Sequence, residues 1–388
     1  MVEFNKNSIK LLIWCFFIIL LGIGEYILIN MADAETNTLL PRTGHKMVYD
    51  TINKQIIMFG GEVDGGSIAD FKATLIFSSL NQTWKEISDI NSPESRTHHS
   101  MVYNSLTGKV LLFGGSSTTE IAQFNDTWVF DTSTYEWTEL YPENAPSGRS
   151  AHAMYYDSEF KEVVLYGGST PYSVSNEMWI FNFTSNNWYQ IFPSYGPGMR
   201  YGHSFVYNER EHTGVFFGGR YGNSGLQNDI WFFNRASSSW VMKYQTTKPM
   251  ARYFTGMAYN PTAENFIMFG GDNEDIPLRA MDDTWIYNVQ SNGWSEVDTI
   301  ANPPPRCKHA IIFDEHLGKV IAFGGLGESF SVMYNDLWIF DPNTKSWSQE
   351  FIASSASVSM PIWIILFNII CCIGVNHLRK FPTRRKYC

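Results

Sequence analysis

Six arginines recur along the chain, Arg42, Arg96, Arg149, Arg200, Arg252 and Arg306. A guanidinium offers a planar fork of donors that matches a carboxylate, so six gathered at one place would attract carboxylates, acidic peptides or acidic sugars. A scaffold role is open from the same residues. Asp126, Glu177, Asp229, Asp283 and Asp336 recur at one fixed place, with Ala73 in the first copy. Arginines and acids at repeating places are also expected to pair and hold the repeats together. Three residues after the arginines stand His45, His99, His152, His203 and His309, with Thr255 in the fifth copy. Their recurrence suits buried hydrogen-bonding groups between repeats better than ligands. No His, Cys and carboxylate cluster has metal-ligand spacing, and no nucleophile–base–orienter set stands out. No metal, cofactor or catalytic residue is therefore expected. Asp272, Glu274 and Asp275 could hold calcium, but a solvated acidic loop accounts for them better.

These residues sit in a repeat. Each arginine is followed, at one constant interval, by the first of two glycines: Gly60-Gly61, Gly114-Gly115, Gly167-Gly168, Gly218-Gly219, Gly270-Gly271 and Gly324-Gly325. Further on comes a landmark, Leu75, Trp128, Trp179, Trp231, Trp285 or Trp338. Nine residues beyond it stands Trp84, Trp137, Trp188, Trp240, Trp294 or Trp347. A period of roughly 50 residues marks an array of structural units. Within a unit, large and small side chains alternate after the arginine, as in His99-Ser100-Met101, which predicts a strand. Asp50, Asn104, Asp157, Asn208, Asn260 and Asp314 then start a turn. A β-branched and aromatic run enters the glycine pair, and two more strands follow. Each unit is thus four short antiparallel strands, with two apolar faces it cannot bury alone. Six units arranged radially bury each face against a neighbour.

This all-β pattern resembles the Kelch-repeat family, a six-bladed β-propeller of four-stranded antiparallel blades, over residues 42–350. The glycines suit a tight turn or a close approach of backbones, and the tryptophans suit the layers between blades. Leu75 and Thr255 depart from the pattern. The first strand of unit 1 and the last of unit 6 are both present, so each blade is expected to be local, with closure by packing. An added strand from residues 26–40 stays open. Strand order puts the arginines, the connections between blades and the loops between second and third strands at one end of the ring. Those inner loops, between glycine pair and landmark, carry the length variation of the repeat. By resemblance this end binds partners, so the six arginines with Tyr201 and Tyr253 are candidate ligand-face residues. Phe71, Phe124, Tyr172, Tyr221, Phe330 and Tyr334 are candidate aromatic anchors. Tyr201, Tyr253 and Cys307 occupy equivalent places on three successive units. Carbohydrate oxidases with Kelch blades use copper with Tyr, His and a Tyr–Cys link, but no matching His pair stands here.

The chain of 388 residues is 16% aromatic and 17% charged, the composition of a core-rich fold. Residues 36–350 hold 21 basic and 34 acidic residues, which argues against a nucleic-acid partner. Cys307 stands apart from Cys15, Cys371, Cys372 and Cys388, so the repeats fold without an internal disulfide. Residues 1–34 read as a signal peptide or signal anchor. The run Met360 to Val375, within an expected membrane helix at 356–378, precedes a basic tail at 379–388, as in a stop-transfer segment. Both orientations put the propeller on the extracytoplasmic side, where Asn81, Asn125 and Asn182 would be glycosylation acceptors. The expected function is a membrane-anchored binding module that recognises a protein or glycan. A carbohydrate-acting enzyme, oxidase or mutarotase-like, is the alternative.

Overall fold

The computed structural model describes residues 39–64, 72–87, 91–120, 122–222, 224–274, 279–328 and 332–350. The two apolar ends, the basic tail, Phe71, Asp275 and Phe330 lie outside them. Among the described residues no helix is long and apolar enough to cross a membrane.

Six antiparallel sheets of four strands follow one another, each with its strands in chain order. Blade 2 is representative, with strands Ser100–Asn104, Lys109–Phe113, Thr127–Asp131 and Glu136–Leu140. Burial falls from the inside outward. Val110, Leu111, Leu112 and Phe113 are fully buried, because both faces of the second strand are covered. On the fourth strand only Trp137 is buried. The first turn of every blade is held by the Asp or Asn that ends the inner strand. Its side chain accepts from the amide two residues on, as in Leu106 N to Asn104 Oδ1 at 3.0 Å and Thr262 N to Asn260 Oδ1 at 3.0 Å.

The inner strands of neighbouring blades touch all the way round, including Lys46–Asp50 of blade 1 against Ala310–Asp314 of blade 6. The ring is therefore closed, and its joints are uniform. The N–H of the second glycine donates to the carbonyl of the next blade's arginine at 2.7–2.9 Å in all six joints, from Gly61 to Arg96 round to Gly325 to Arg42. A second circle lies two residues after the arginines. Gly44, His98, Ala151, Gly202, Phe254 and Lys308 each accept from the amide of the next, at 2.7–3.0 Å, and Gly44 closes the circle by donating to Lys308. All six have positive φ, between 51° and 70°. Closure needs no strand borrowed from the other end of the chain. Leu39 packs into the joint between blades 1 and 6, and its carbonyl accepts from Asn335 Nδ2 at 3.0 Å.

The core is divided among the joints. Six apolar clusters each span two adjacent blades, such as Met47 and Tyr49 with Ile321 and Phe323, or Val48 and Ile57 with Met101 and Leu112. Each outer-strand tryptophan leans on the aromatic residue that precedes the previous blade's glycines. Trp137 meets Phe59, Trp188 Phe113, Trp240 Tyr166, Trp294 Phe217, Trp347 Phe269 and Trp84 Phe323, with centroids 4.9–5.6 Å apart. Such pairs add about 0.5–1.5 kcal/mol beyond the area they bury.

The glycine pair is a steric requirement. A Cβ on Gly270 would lie 2.5 Å from the Arg306 carbonyl, and Gly270 and Gly271 have φ of +63° and +114°. Gly222 also has positive φ, but nothing surrounds it. Gly270→Ala is expected to lower stability by about 2–4 kcal/mol, and Gly222→Ala by about 1 kcal/mol. Urea denaturation of the two variants measures the difference.

Candidate functional site

The loop end of the ring is built on the arginines. Each arginine sits just before its inner strand, and its Nη1 donates to the carbonyl of the first glycine of the same blade. The distance is 3.3 Å for Arg42 to Gly60 and 2.9–3.0 Å for the other five. That bond accounts for the constant interval between arginine and glycine pair. In five blades the guanidinium also grips the repeated acid, as in Arg252 to Asp283 at 2.6 and 2.7 Å. Arg96, Arg200 and Arg306 hold Asp126, Asp229 and Asp336 in the same bidentate way, and Arg149 holds Glu177. The landmark tryptophan then binds the acid from the other side. Trp285 Nε1 donates to Asp283 Oδ2 at 2.7 Å, and Trp128, Trp179, Trp231 and Trp338 do likewise. In blade 1 acid and indole are lost together, as Ala73 and Leu75.

These ion pairs lie within blades, whereas the sequence pattern suggested pairs between them. What the arginine offers the neighbouring blade is its carbonyl. Every one of the six arginines is buried, at 0–3% exposure, so the guanidinium groups are turned into the scaffold. Aromatic residues cover them: Arg96 lies under Phe124 at 4.2 Å, Arg200 under Tyr221 at 5.4 Å and Arg306 under Tyr334 at 4.3 Å. Three of the expected aromatic anchors are thus lids over arginines. Tyr172 alone among the described ones stands out, at 96% exposure.

The repeated histidines are buried in the joints, edge-on to the aromatic residue of the preceding blade. His45 meets Phe323 and His309 meets Phe269, and the centroid distances run from 5.4 to 5.8 Å over the five. Burial lowers the pKa of each below the usual range, with a smaller push from the arginine of the same blade. The Phe323 carbonyl faces the His45 ring without a hydrogen bond of ordinary geometry. These rings are neutral packing groups.

Tyr201, Tyr253 and Cys307 do form a row. Tyr201 and Tyr253 meet edge to face at 6.1 Å. Cys307 is fully buried, and burial pushes its thiol up to about 12, which makes it unreactive. Tyr253 borders a buried carboxylate, Asp272, paired with Arg279 at 3.1 Å; burial raises the Asp272 pKa against that pairing. Arg220 pairs with Glu274 beside it. Among the described residues no group of three or more His, Cys, Asp or Glu is placed to hold a metal. The face is lopsided. Small hydroxyl residues, Thr43, Thr97 and Ser150, stand on blades 1 to 3 where blades 4 to 6 have Tyr201, Tyr253 and Cys307.

Three further exposed aromatic groups at this end were not found from the sequence. Tyr141, Phe192 and Tyr244, exposed by 83%, 80% and 80%, each follow the last residue of the fourth strand in blades 2, 3 and 4. They form an arc on the rim of the loop end, with Tyr195 at 66% beside it. Their signal was an aromatic residue at one register position in three consecutive repeats. Of the sequon asparagines, Asn81 and Asn125 are exposed. Asn182 is half-buried, and its side chain donates to Glu162 and accepts from the turn amides of Thr184 and Ser185.

Comparison with known proteins agrees with this architecture. Residues 29–206 and 161–361 match the family described as the KLHDC2/KLHL20/DRC7 Kelch-repeats domain. Mei4-dependent protein 6 of Schizosaccharomyces pombe is 23% identical over 82% of this chain and 50% of its own length. The dynein alpha chain of the flagellar outer arm of Chlamydomonas reinhardtii is 30% identical over 46% of this chain and 4% of its own length. Putative protein tag-53 of Caenorhabditis elegans is 22% identical over 75% of this chain and 22% of its own. The chain spans half or less of these curated relatives.

Removing one acid strands a buried cation. Asp283→Ala is expected to cost about 3–5 kcal/mol in urea denaturation, and Asp298→Ala, at an exposed position, less than about 0.5 kcal/mol. The histidines set a pH dependence. Their folded pKa values lie below the unfolded value of about 6.5, so the unfolded chain binds protons first. Stability is complete above that pH and falls below it, by up to about 1.4 kcal/mol per pH unit for each histidine. His152→Thr, which copies Thr255 of blade 5, should flatten the slope of urea midpoint against pH between 6.5 and 5.

Proposed function

The chain belongs to the Kelch-repeat family, and from that premise we propose that it is a protein-binding module which docks its partner on the loop end of the propeller. The observation that carries the proposal is the aromatic arc of Tyr141, Phe192 and Tyr244. Large apolar side chains held at 80% exposure or more on a rigid scaffold, at the same place in three successive blades, are the kind of anchor protein interfaces use. Tyr172 and Tyr195 extend the same surface. In this reading the half-buried Tyr201 lines the central part of the face, with the buried Tyr253 packed edge to face against it, and the arginines act from below by fixing the loops that carry the surface.

Two finer parts of the proposal rest on sequence. The apolar run at 360–375 with its basic flank supports a membrane anchor and an extracytoplasmic propeller. The exposed Asn81 and Asn125 are compatible with glycosylation there. A glycan ligand and a carbohydrate-acting enzyme remain alternative readings, and neither has an observation of its own among the described residues.

The test is affinity capture by the full-length chain after chemical crosslinking. A Tyr141→Ser, Phe192→Ser, Tyr244→Ser variant is expected to lose bound protein while its melting temperature stays within about 2 °C of the parent. A variant of the opposite end, Leu80→Ser with Leu106→Ser, should keep it. Loss of capture in the second variant and not the first would move the interface to the turn end.

A further inference from the structure

The axis of the ring holds a feature that partner docking at the rim does not use. A channel cavity of about 340 Å³ runs between the inner strands towards the turn end. A smaller cavity of about 40 Å³ lies inside the circle formed by Gly44, His98 and their equivalents. Lys46 lines both. It is the first residue of the inner strand of blade 1, and the equivalent residues of the other blades are Ser100, Ala153, Ser204, Gly256 and Ala310. Packing at this position is thus met by a small residue in five blades, and only blade 1 places a charge there.

The ammonium stands close to the axis, since its field acts on His98 and on the ring histidines of all five blades that have one. Among the described residues no carboxylate pairs with it and no hydrogen bond holds it. Burial alone lowers its pKa from the ordinary value. The carboxylates nearest along the channel, Glu209 and Glu315, lie at its turn-end lining. Lys308 and His98 lie at the loop-end side. Two hydroxyls near Lys46 are committed. Ser204 donates to the Thr255 carbonyl at 2.9 Å, and Thr255 donates to the Phe269 carbonyl at 3.0 Å. The Ser100 hydroxyl, one blade on from Lys46, has no such bond among the described residues.

We infer that the channel is a binding site for a small oxyanion, with Lys46 as its anchoring charge and Ser100 as a neutral donor. A compact ammonium in a narrow channel is a strong point attraction for phosphate, sulfate or a carboxylate. Lys308 at the loop-end side favours access of an anion, His98 being held neutral by burial, and the acidic lining at the turn end opposes its passage through the ring.

The experiment titrates the full-length chain with sodium phosphate, sulfate or acetate, ionic strength being held constant with sodium chloride. At least one oxyanion should saturate a single site and raise the melting temperature by about 2–4 °C. Saturation by phosphate and sulfate alone assigns a tetrahedral anion, and saturation by acetate a carboxylate. Lys46→Met should bind at least ten-fold more weakly and, in chloride alone, melt no lower than the parent. Equal affinity in the variant, or no saturation by any of the three in the parent, overturns the inference. Should the variant not fold, acetic anhydride labelling of the parent decides: the saturating anion must protect Lys46 from acetylation, and unchanged labelling overturns the inference.

Discussion

The amide of the second glycine of each blade, bonded to the carbonyl of the next blade's arginine, is the contact on which the ring depends. It occurs in all six joints at nearly one length, from 2.7 to 2.9 Å. It demands bare backbone at both glycines, since a side chain on the first would collide with the next blade's arginine carbonyl and one on the second with the segment that precedes its own blade's inner strand. The same arginine reaches with its Nη1 into its own blade and holds the carbonyl of the first glycine. One residue therefore ties two blades by opposite ends, main chain to the blade before and side chain to its own. The constant interval in the sequence is the path from that residue through an inner strand, a turn and a second strand back to the glycines. Any insertion along that path would separate the two ends of the clamp.

Burying an arginine is costly unless its charge and donors are met, and replacing such a pair by apolar residues is often neutral or better. The value of the clamp is then specificity: it fixes where the loop end of each blade begins and which carbonyl the next blade meets. The indole of the landmark tryptophan completes the set by holding the acid. Blade 1 supports this account, because Ala73 and Leu75 depart together, as expected if the indole serves the carboxylate. A similar dependence links neighbouring blades. The outer tryptophans Trp137, Trp188 and Trp347 donate to Thr74, Thr127 and Thr284 of the blade before, at 2.9–3.0 Å. Where that position is Met178, Ile230 or Leu337, the next tryptophan packs without that bond, against aromatic and apolar neighbours.

Most of the architecture was legible because it is written six times. Strand alternation, the Asp or Asn that starts the first turn, the glycine pair and the tryptophan register all fall where the repeat puts them, and local closure of each blade follows from the complete first and last units. What the repeat could not convey is which neighbour a repeated residue faces. An arginine and an acid of one period are compatible with pairing inside a blade or across a joint, and only the fold distinguishes them. Exposure was equally hidden. Phe124, Tyr221 and Tyr334 look like Tyr172 in a loop sequence, but they fold down onto guanidinium groups. Tyr141, Phe192 and Tyr244 lie in connections of constant length, which look like scaffold in the sequence, whereas the length variation falls in other loops.

The repeated chemistry of the molecule is largely self-consumed. Arginines meet acids and carbonyls, acids meet indoles, glycine amides meet carbonyls, and histidines are shut into joints as neutral rings. Groups that satisfy one another in five or six blades have little left for a ligand. The capacity to recognise something else must then reside where the copies disagree. Three such places stand out: the aromatic arc on blades 2 to 4, the half of the loop face where Tyr201 and Tyr253 stand in place of small hydroxyl residues, and Lys46 on the axis. The first two are surfaces that a macromolecule can cover, and the third admits only something small. A scaffold of near six-fold symmetry thus separates its tasks by position: the symmetric part sets geometry, and each break in symmetry is a candidate for function in its own right.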